Sequence, residues 1–223
     1  MKYVLPVIHH IDKDTTWEQA TLAYQCGADG VFLISHFNED MELAPIAREI
    51  LDENWLNRKK QKFTVGLNLL NTTPLDALDI VLKYKLDALW LDNAGINSTG
   101  ISVYGQKIIE QHIINSEIKI FASVAFKYQA HEPNPAKAAQ VVDSLGLIAT
   151  TSGSGTGSAP SLDKIASMVP DSGQLAVASG MTVENISNFK PYLSHILVAT
   201  GVSVDDHHFD KDLLKKFIEI CHA

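Results

Sequence analysis

The sequence predicts a (β/α)8 TIM barrel formed by a single α/β domain over residues 1–223. Eight short apolar segments alternate with eight segments of helical pattern, and this alternation is the main observation. Continuous apolar strands that alternate with helices are typical of a parallel sheet covered on both faces. A length of 223 residues lies near the small end of the barrel size range. No dinucleotide-binding glycine fingerprint follows the first strand, so a doubly wound open sheet is the less favoured alternative.

The predicted strands are short apolar runs, many of them β-branched, that end at polar or glycine-containing turns. They cover Tyr3–Ile8, Gly30–Ile34, Phe63–Leu70, Ala88–Leu91, Ile118–Val124, Leu147–Ala149, Leu175–Ala178 and Ile196–Ala199. Runs such as VFLI and ALWL contain no polar residue, as expected for strands that are buried on both faces.

The predicted helices begin at capping residues or at proline and end near glycine or basic residues. They cover Thr15–Gln25, Met41–Leu56, Pro74–Tyr84, Val103–Asn115, Pro135–Leu145, Leu162–Met168, Thr182–Phe189 and Asp210–Cys221. Gly27 and Gly146 follow the first and fifth helices as stop signals, and Thr182 is predicted to cap the seventh.

The composition limits the classes of partner and compartment. The chain is 46% hydrophobic and 20% charged, and its formal net charge is −8. We therefore expect no nucleic-acid partner, because nucleic acids are bound through positive charge. We also expect no membrane partner, because membranes are bound through positive charge or long apolar segments. The two cysteines lie far apart, and the N-terminus lacks the long apolar core of a signal peptide, so the expected location is cytoplasmic. No cofactor is predicted.

A glycine-rich loop follows the sixth strand and precedes a helix, in the order LIATTSGSGTGSAP from Leu147 to Pro160. Glycines let backbone N–H groups approach an anion closely, so Gly153, Thr156 and Gly157 are candidates for phosphate binding, and the loop is a candidate lid. The alternative is a flexible surface loop of small residues, since the spacing is not that of a P-loop.

Two turns rich in small residues follow the seventh and eighth strands, where barrel enzymes frequently bind phosphate. Ser179 and Gly180 form the first turn, and Thr200 and Gly201 form the second. A helix starting near Thr182 would add its dipole to the first turn. The alternative is that these glycines serve only as tight turns between strand and helix.

The carboxyl ends of barrel strands carry catalytic residues, so polar residues at these ends form the candidate active site. Asp92 is the main acid/base candidate, because partial burial at the mouth would raise the pKa of its carboxyl group. The alternative for Asp92 is a turn or cap residue. Lys127 could hold an anion or form a Schiff base, or lie solvated in its loop. The predicted substrate-binding residues are Asn68, Asn71, Asn93, Thr151 and Ser152.

Three histidines could meet at the mouth. His9 and His10 point to opposite faces if the strand continues, so at most one of them faces the barrel axis. His9 and His36 are therefore candidate catalytic residues. The alternative is that these histidines bind a divalent metal together with Asp12 or Asp92, but no His-x-His or His-x3-His spacing supports such a site, and none is predicted.

Three stretches resemble the BtpA/SgcQ-like family of the phosphate-binding TIM-barrel superfamily. They are VGLNLLNTTPLDAL, TTSGSGTGSAPSLDKI and VASGMTVENI, in the same order along most of the chain. The resemblance implies a fold distantly like that of phosphoribosylanthranilate isomerase. It also implies functional positions at Asn68 and Asn71, at Ser152, Gly153, Thr156 and Gly157, and at Ser179, Gly180, Thr182 and Asn185. The chain departs from the family pattern at IHHID and LDNAGI.

Two functions follow from these observations. The first is an enzyme of isomerase, lyase or transferase type that acts on a sugar-phosphate or phosphoribosyl compound, with a small phosphorylated ligand as partner. The second is a non-catalytic assembly or regulatory factor that binds a protein, because the sequence lacks a complete catalytic signature. A homo-oligomer is also expected, because Ile108–Ile114 is apolar enough to pack on another subunit or on the barrel.

Overall fold

Eight parallel strands close into a barrel, which confirms the predicted (β/α)8 architecture. The computed structural model describes residues 2–37, 40–53, 62–115 and 117–223. The strands are β1 (Tyr3–His9), β2 (Gly30–Ile34), β3 (Thr64–Asn68), β4 (Ala88–Leu91), β5 (Lys119–Ser123), β6 (Ile148–Thr151), β7 (Leu175–Ala178) and β8 (His195–Val198). β1 pairs with both β2 and β8, with Ile8 opposite Leu33 and Val4 opposite Ile196, and these pairings complete the ring.

Within the described residues, eight α-helices follow the strands. They are α1 (Lys13–Cys26), α2 (Asp40–Asp52), α3 (Pro74–Lys83), α4 (Val103–Ile114), α5 (Pro135–Ser144), α6 (Leu162–Met168), α7 (Ile186–Phe189) and α8 (Lys211–His222). α1 begins earlier than predicted because Asp12 caps it by accepting a 2.7 Å hydrogen bond from the backbone N–H of Thr15. The predicted end of the second helix at Leu56 lies outside the described residues.

The predicted start of the seventh helix at Thr182 is wrong, because α7 begins at Ile186 and has only four residues. The side chain of Asn185 accepts from the backbone N–H of Thr182 and donates to the carbonyl of Gly180. These bonds hold the preceding segment as a turn, in competition with helix formation. The dipole expected at the turn after β7 is therefore lacking.

A short hairpin after β4 was not predicted. Ile96–Asn97 pairs antiparallel with Gly100–Ile101. The side-chain oxygen of Asn97 accepts from the backbone N–H groups of Thr99 and Gly100, which closes the turn. Strands of two residues are too short to produce a periodic pattern, so the sequence offers no signal beyond this asparagine turn.

The barrel interior is filled by one apolar cluster that includes Phe32, Trp90 and Phe121. The rings of Phe32 and Phe121 meet edge to face at 5.1 Å. Side chains alternate along a strand, so the inward position of Val7 also directs His9 inward and His10 outward. This register brings polar side chains to the top of the packed interior, at the carboxyl ends of the strands. In the described part of the chain, no helix is long and apolar enough to span a membrane.

Candidate functional site

A small cavity of about 80 Å³ lies at the carboxyl end of the barrel. Its floor is apolar, formed by residues such as Trp90 and Leu197, and its walls come from the strand ends and loops. The predicted site residues that line it are His9, His36, Lys127, Thr156, Gly157, Ser179, Gly180, Thr200 and Gly201. The fold thus brings together nine residues that lie far apart in the sequence, from the ends of β1, β2 and β5 to β8.

His9 and His36 meet at this cavity, with their ring centroids 5.1 Å apart. Burial, together with the neighbouring His36 and His207, lowers the pKa of His9 to about 4. His9 is therefore neutral at neutral pH and can accept a proton or a hydrogen bond there. His10 points away from the axis, and its Nδ1 lies 2.7 Å from the hydroxyl oxygen of Thr16.

His207 is a site neighbour that sequence reasoning missed. Its Nδ1 lies 3.0 Å from the backbone carbonyl of His9. The loop after β8 folds back across the end of β1 because these two strands are paired in the closed barrel. This contact depends on barrel closure, so no local pattern around His207 could have revealed it.

Asp92 lies directly after β4 and is partly buried. Burial raises the pKa of its carboxyl group, while Asn68, Lys127 and His36 act in the opposite direction. The side-chain amide of Asn68 lies 3.4 Å from one carboxylate oxygen and donates a 2.9 Å bond to the carbonyl of Trp90. Gln129 donates a 2.6 Å bond to the backbone carbonyl of Asp92, which fixes the strand end. Asp92 is thus a positioned carboxylate with a raised pKa, as an acid/base residue requires.

Asp92 does not line the small cavity. It lies instead on a second, larger recess beside the mouth, and Lys127 lines both. Asn93 lines this recess too, but its side-chain oxygen accepts from the backbone N–H of Gly95 and from the hydroxyl of Tyr104. The turn-forming alternative considered for Asp92 therefore applies to Asn93.

Other predicted substrate-binding residues are held by contacts within the protein. The backbone N–H of Asn71 donates to Asp40, and its exposed side chain lines neither recess. Thr151 donates to the carbonyl of Ala125. The hydroxyl of Ser152 accepts from the backbone N–H of Lys127 at 2.8 Å and donates to the carbonyl of Gly153. Thr151 and Ser152 are fully buried, so they shape the loops around the site.

Lys127 connects the β5–α5 loop to the glycine-rich loop. Its ammonium group donates a 3.2 Å bond to the hydroxyl of Thr156, and the hydroxyl of Tyr128 lies 3.5 Å from the same atom. Both lysine and threonine face the small cavity. This places a positive charge beside the cavity in a protein of net charge −8.

The turns after β7 and β8 leave backbone donors open. Within the described residues, the backbone N–H groups of Gly180, Met181 and Gly201 donate to no protein acceptor. Ser179 has a φ of 115°, a conformation unusual for a residue with a side chain, and its hydroxyl donates to the carbonyl of Gly155. Backbone strain of this kind is concentrated at functional sites.

The glycines in these turns also permit close packing. A Cβ atom at Gly180 would lie 2.1 Å from the backbone nitrogen of Ala159, and one at Gly201 would lie 2.0 Å from the carbonyl oxygen of Met181. At Gly153 a Cβ would approach the carbonyl oxygen of Ser158 to 2.1 Å. Both the tight-turn and the anion-binding interpretations are therefore compatible with the geometry.

Lys164 is a structural residue of the site that sequence reasoning missed. Its ammonium group donates 2.6 and 2.7 Å bonds to the carbonyls of Ala125 and Ser152, and burial lowers its pKa. It therefore ties the loop that carries Lys127 to the glycine-rich loop. The available signal was a lysine in the first turn of a helix, where the dipole disfavours positive charge.

We expect Lys164→Met to destabilise the protein by about 2 kcal/mol, because two carbonyls lose a charged donor. We also expect faster proteolysis within residues 153–159, since that loop loses its anchor. Chemical denaturation and limited proteolysis with mass spectrometry measure both effects. Lys215→Met, which removes an exposed lysine from α8, is the matched control. Equal stability and cleavage rates in the two variants would contradict the anchoring role.

No cluster of three or more His, Cys, Asp or Glu side chains within residues 2–37, 40–53, 62–115 and 117–223 has metal-binding geometry.

Comparison with known proteins shows the fold alone. No protein-family model matches the chain, and no curated protein matches it. Solved structures do match. Phosphoribosylanthranilate isomerase from Thermotoga maritima has a TM-score of 0.66 and 17% identity, over 100% of this chain and 99% of that chain. Thiamine phosphate pyrophosphorylase from Pyrococcus furiosus has a TM-score of 0.65 and 13% identity, over 99% and 95%. The shared feature is the (β/α)8 barrel.

A third matching solved structure is a complex with a ligand. It is phosphoribosylanthranilate isomerase in complex with reduced 1-(o-carboxyphenylamino)-1-deoxyribulose 5-phosphate. Its TM-score is 0.62 and its identity 17%, over 100% of this chain and 99% of that chain. Two of these neighbours are phosphoribosylanthranilate isomerases and one is a thiamine phosphate pyrophosphorylase, and their identities to this chain lie far below the level that would transfer an activity.

Proposed function

We propose that this protein is an enzyme that acts on a sugar-phosphate or phosphoribosyl-type molecule. The observation that carries the proposal is the cavity bounded by the turns after β7 and β8, with unpaired backbone N–H groups at Gly180, Met181 and Gly201. Such donors suit an anion, and this end of a TIM barrel is where phosphate is frequently bound. The fold shared with phosphoribosylanthranilate isomerase supports the same substrate class.

In the proposed mechanism, the turns bind the phosphate and Lys127 adds positive charge near it. The glycine-rich loop acts as a lid, because Thr156 and Gly157 already line the cavity. Asp92 transfers the proton, since its raised pKa brings the carboxyl closer to neutral pH. His36 and the neutral His9 orient the substrate or exchange protons at the ends of β2 and β1.

The test is a thermal-shift titration with inorganic phosphate, ribose 5-phosphate and phosphoribosyl compounds. We expect each ligand that binds to raise the Tm in a concentration-dependent manner. Thr200→Asp should abolish the rise, because Thr200 lines the cavity, is exposed, and would place a carboxylate beside the anion. Thr200→Asn is the matched neutral control and should retain the rise. No rise with any phosphate in the parent protein would contradict the proposal.

A substitution at Gly180 would not give an equally clean result. A side chain at Gly180 would collide with the backbone of Ala159 and displace the loop, so a loss of anion binding could not be separated from this displacement. Thr200 avoids this difficulty because its side chain already occupies the exposed position.

Membership of the BtpA/SgcQ-like family and a homo-oligomeric state remain parts of this proposal. Ile108 and Ile109 pack on the barrel, whereas Ile113 and Ile114 are 68% and 81% exposed and are available to a second subunit. The non-catalytic alternative required a continuous apolar patch. On α4 the exposed Val103 and Ile114 share a face with exposed charged residues between them, so this face of α4 is not such a patch.

A further inference from the structure

A large recess lies beside the small cavity, between the β4–α4 hairpin and the β5–α5 loop. Its volume is about 840 Å³, roughly ten times that of the cavity at the mouth. Asp92 lies at the recess, and Lys127 lines both spaces. One ligand can therefore occupy both, with the atoms between its two parts located beside Asp92 and Lys127. We call this recess the β4–β5 groove.

The walls of the β4–β5 groove are held in place by hydrogen bonds within the β5–α5 loop and between this loop and the segment after β4. One carboxylate oxygen of Glu132 accepts a 3.0 Å bond from the backbone N–H of Ser98 in the hairpin, and the other accepts a 2.8 Å bond from Asn134. Gln129 bonds to the carbonyls of Asp92 and Ser123 through one end and to the backbone N–H of Phe126 through the other. The groove is therefore formed before a ligand arrives, which lowers the entropic cost of binding.

The charges divide between the two spaces. Asp92 and Glu132 contribute two carboxyl groups to the groove. Partial burial acts to raise the pKa of Glu132, but the hydrogen bonds from Ser98 and Asn134 prevail and lower it, so this group is ionised at neutral pH. Among the described groove residues, Lys127 is the only lysine or arginine, and its ammonium group is directed to Thr156 on the cavity side. The groove is thus unfavourable for a negatively charged group.

We propose that the β4–β5 groove binds the second half of the substrate, an uncharged ring rich in hydrogen-bonding groups and joined to the phosphorylated sugar. The groove volume suits a ring, and its lining of asparagine, serine, threonine and tyrosine side chains offers donors and acceptors. A carboxylated aromatic ring, as in the ligand of the compared isomerase, would face the carboxyl groups of Asp92 and Glu132, whereas the ammonium group of Lys127 is bonded to Thr156 on the cavity side. The inference rests on the proposed function, because it assumes that the phosphate lies in the adjoining cavity.

The experiment compares three probes by isothermal titration calorimetry with the whole protein. Ribose 5-phosphate tests the phosphate and sugar alone, uridine 5′-monophosphate adds an uncharged polar ring, and orotidine 5′-monophosphate adds one carboxylate to that ring. We expect uridine 5′-monophosphate to bind about tenfold more tightly than ribose 5-phosphate, through the ring contacts. We expect orotidine 5′-monophosphate to bind about tenfold more weakly than uridine 5′-monophosphate, because like charges oppose each other in the groove.

A variant pair tests the electrostatic cause. Thr99 is exposed on the rim of the groove, so Thr99→Lys should add a cation there and remove most of the penalty for orotidine 5′-monophosphate. Thr99→Gln has a similar length without the charge and should keep the penalty. Equal affinities for the two nucleotides in the parent protein, or no gain over ribose 5-phosphate, would overturn the inference and leave the proposed function standing. Failure of all three probes to bind would overturn both.

Discussion

Replacement of Asp92 by asparagine should reduce kcat/KM by about a thousandfold on any sugar phosphate that the protein turns over. The expectation rests on a carboxyl group whose burial raises its pKa and which lies beside Lys127 at the junction of the cavity and the groove. Asparagine keeps the size and the hydrogen bond from Asn68 but cannot accept a proton. Steady-state kinetics with the ligand that gives the largest thermal shift is the measurement. A value within a factor of about ten of the parent would remove Asp92 from the mechanism.

The same variant separates catalysis from folding through its pH dependence. The folded pKa of Asp92 is raised above the unfolded value, so the folded state disfavours ionisation, and stability falls as pH rises through these two values. Asparagine does not ionise, so Asp92→Asn should have a higher Tm than the parent at neutral pH. This gain should disappear when the pH falls below the pKa of Asp92 in the unfolded state, because the carboxyl group of the parent protein is then protonated in both the folded and the unfolded state. A lower Tm at neutral pH would instead indicate a structural role.

Replacement of Gly201 by alanine should destabilise the protein by about 3 kcal/mol. The added methyl group would lie 2.0 Å from the carbonyl oxygen of Met181, and 3.2 Å from the Cα of Thr182. These are backbone atoms, which cannot move aside as a flexible side chain can, so the turns after β7 and β8 must separate. Urea denaturation of the parent and the variant gives the difference in the free energy of unfolding.

Gly155 provides the control for this substitution. It lies in the glycine-rich loop, and a Cβ there would meet no atom within 4 Å. Gly155→Ala should therefore change the free energy of unfolding by less than about 0.5 kcal/mol. Similar stabilities for Gly201→Ala and Gly155→Ala would contradict the close packing of the two turns. A large loss in Gly201→Ala alone would show that packing requires this glycine whether or not phosphate binds.

The sequence predicted most elements because each carries a local signal. The apolar run Gly30–Ile34 and the helix Leu162–Met168 have the predicted boundaries. Local signals misled where side chains formed competing hydrogen bonds, as Asn185 did at the predicted helix start at Thr182. The hairpin of Ile96–Asn97 and Gly100–Ile101 was missed because strands of two residues are too short to show a periodic pattern.

The sequence by itself determined the eightfold alternation, and with it the end of the barrel at which polar residues gather. The sequence also predicted that His9 and His10 lie on opposite faces, because successive side chains on a strand point in opposite directions. These properties depend on residues close together in the chain, so a local pattern is sufficient to specify them.

Only the tertiary structure decided which of those polar residues share a space. In the tertiary structure Asp92 lines the groove together with Asn93 and Glu132, and Lys127 lines both the groove and the cavity. Lys164 donates hydrogen bonds to carbonyls of the two loops beside them. The tertiary structure also showed that Gly180 and Gly201 fit against backbone atoms of other segments. Such contacts are set by loop lengths and by the register of strands around the closed barrel. Burial, pKa and shared cavities follow from those distances in space, which the order of residues along the chain does not specify.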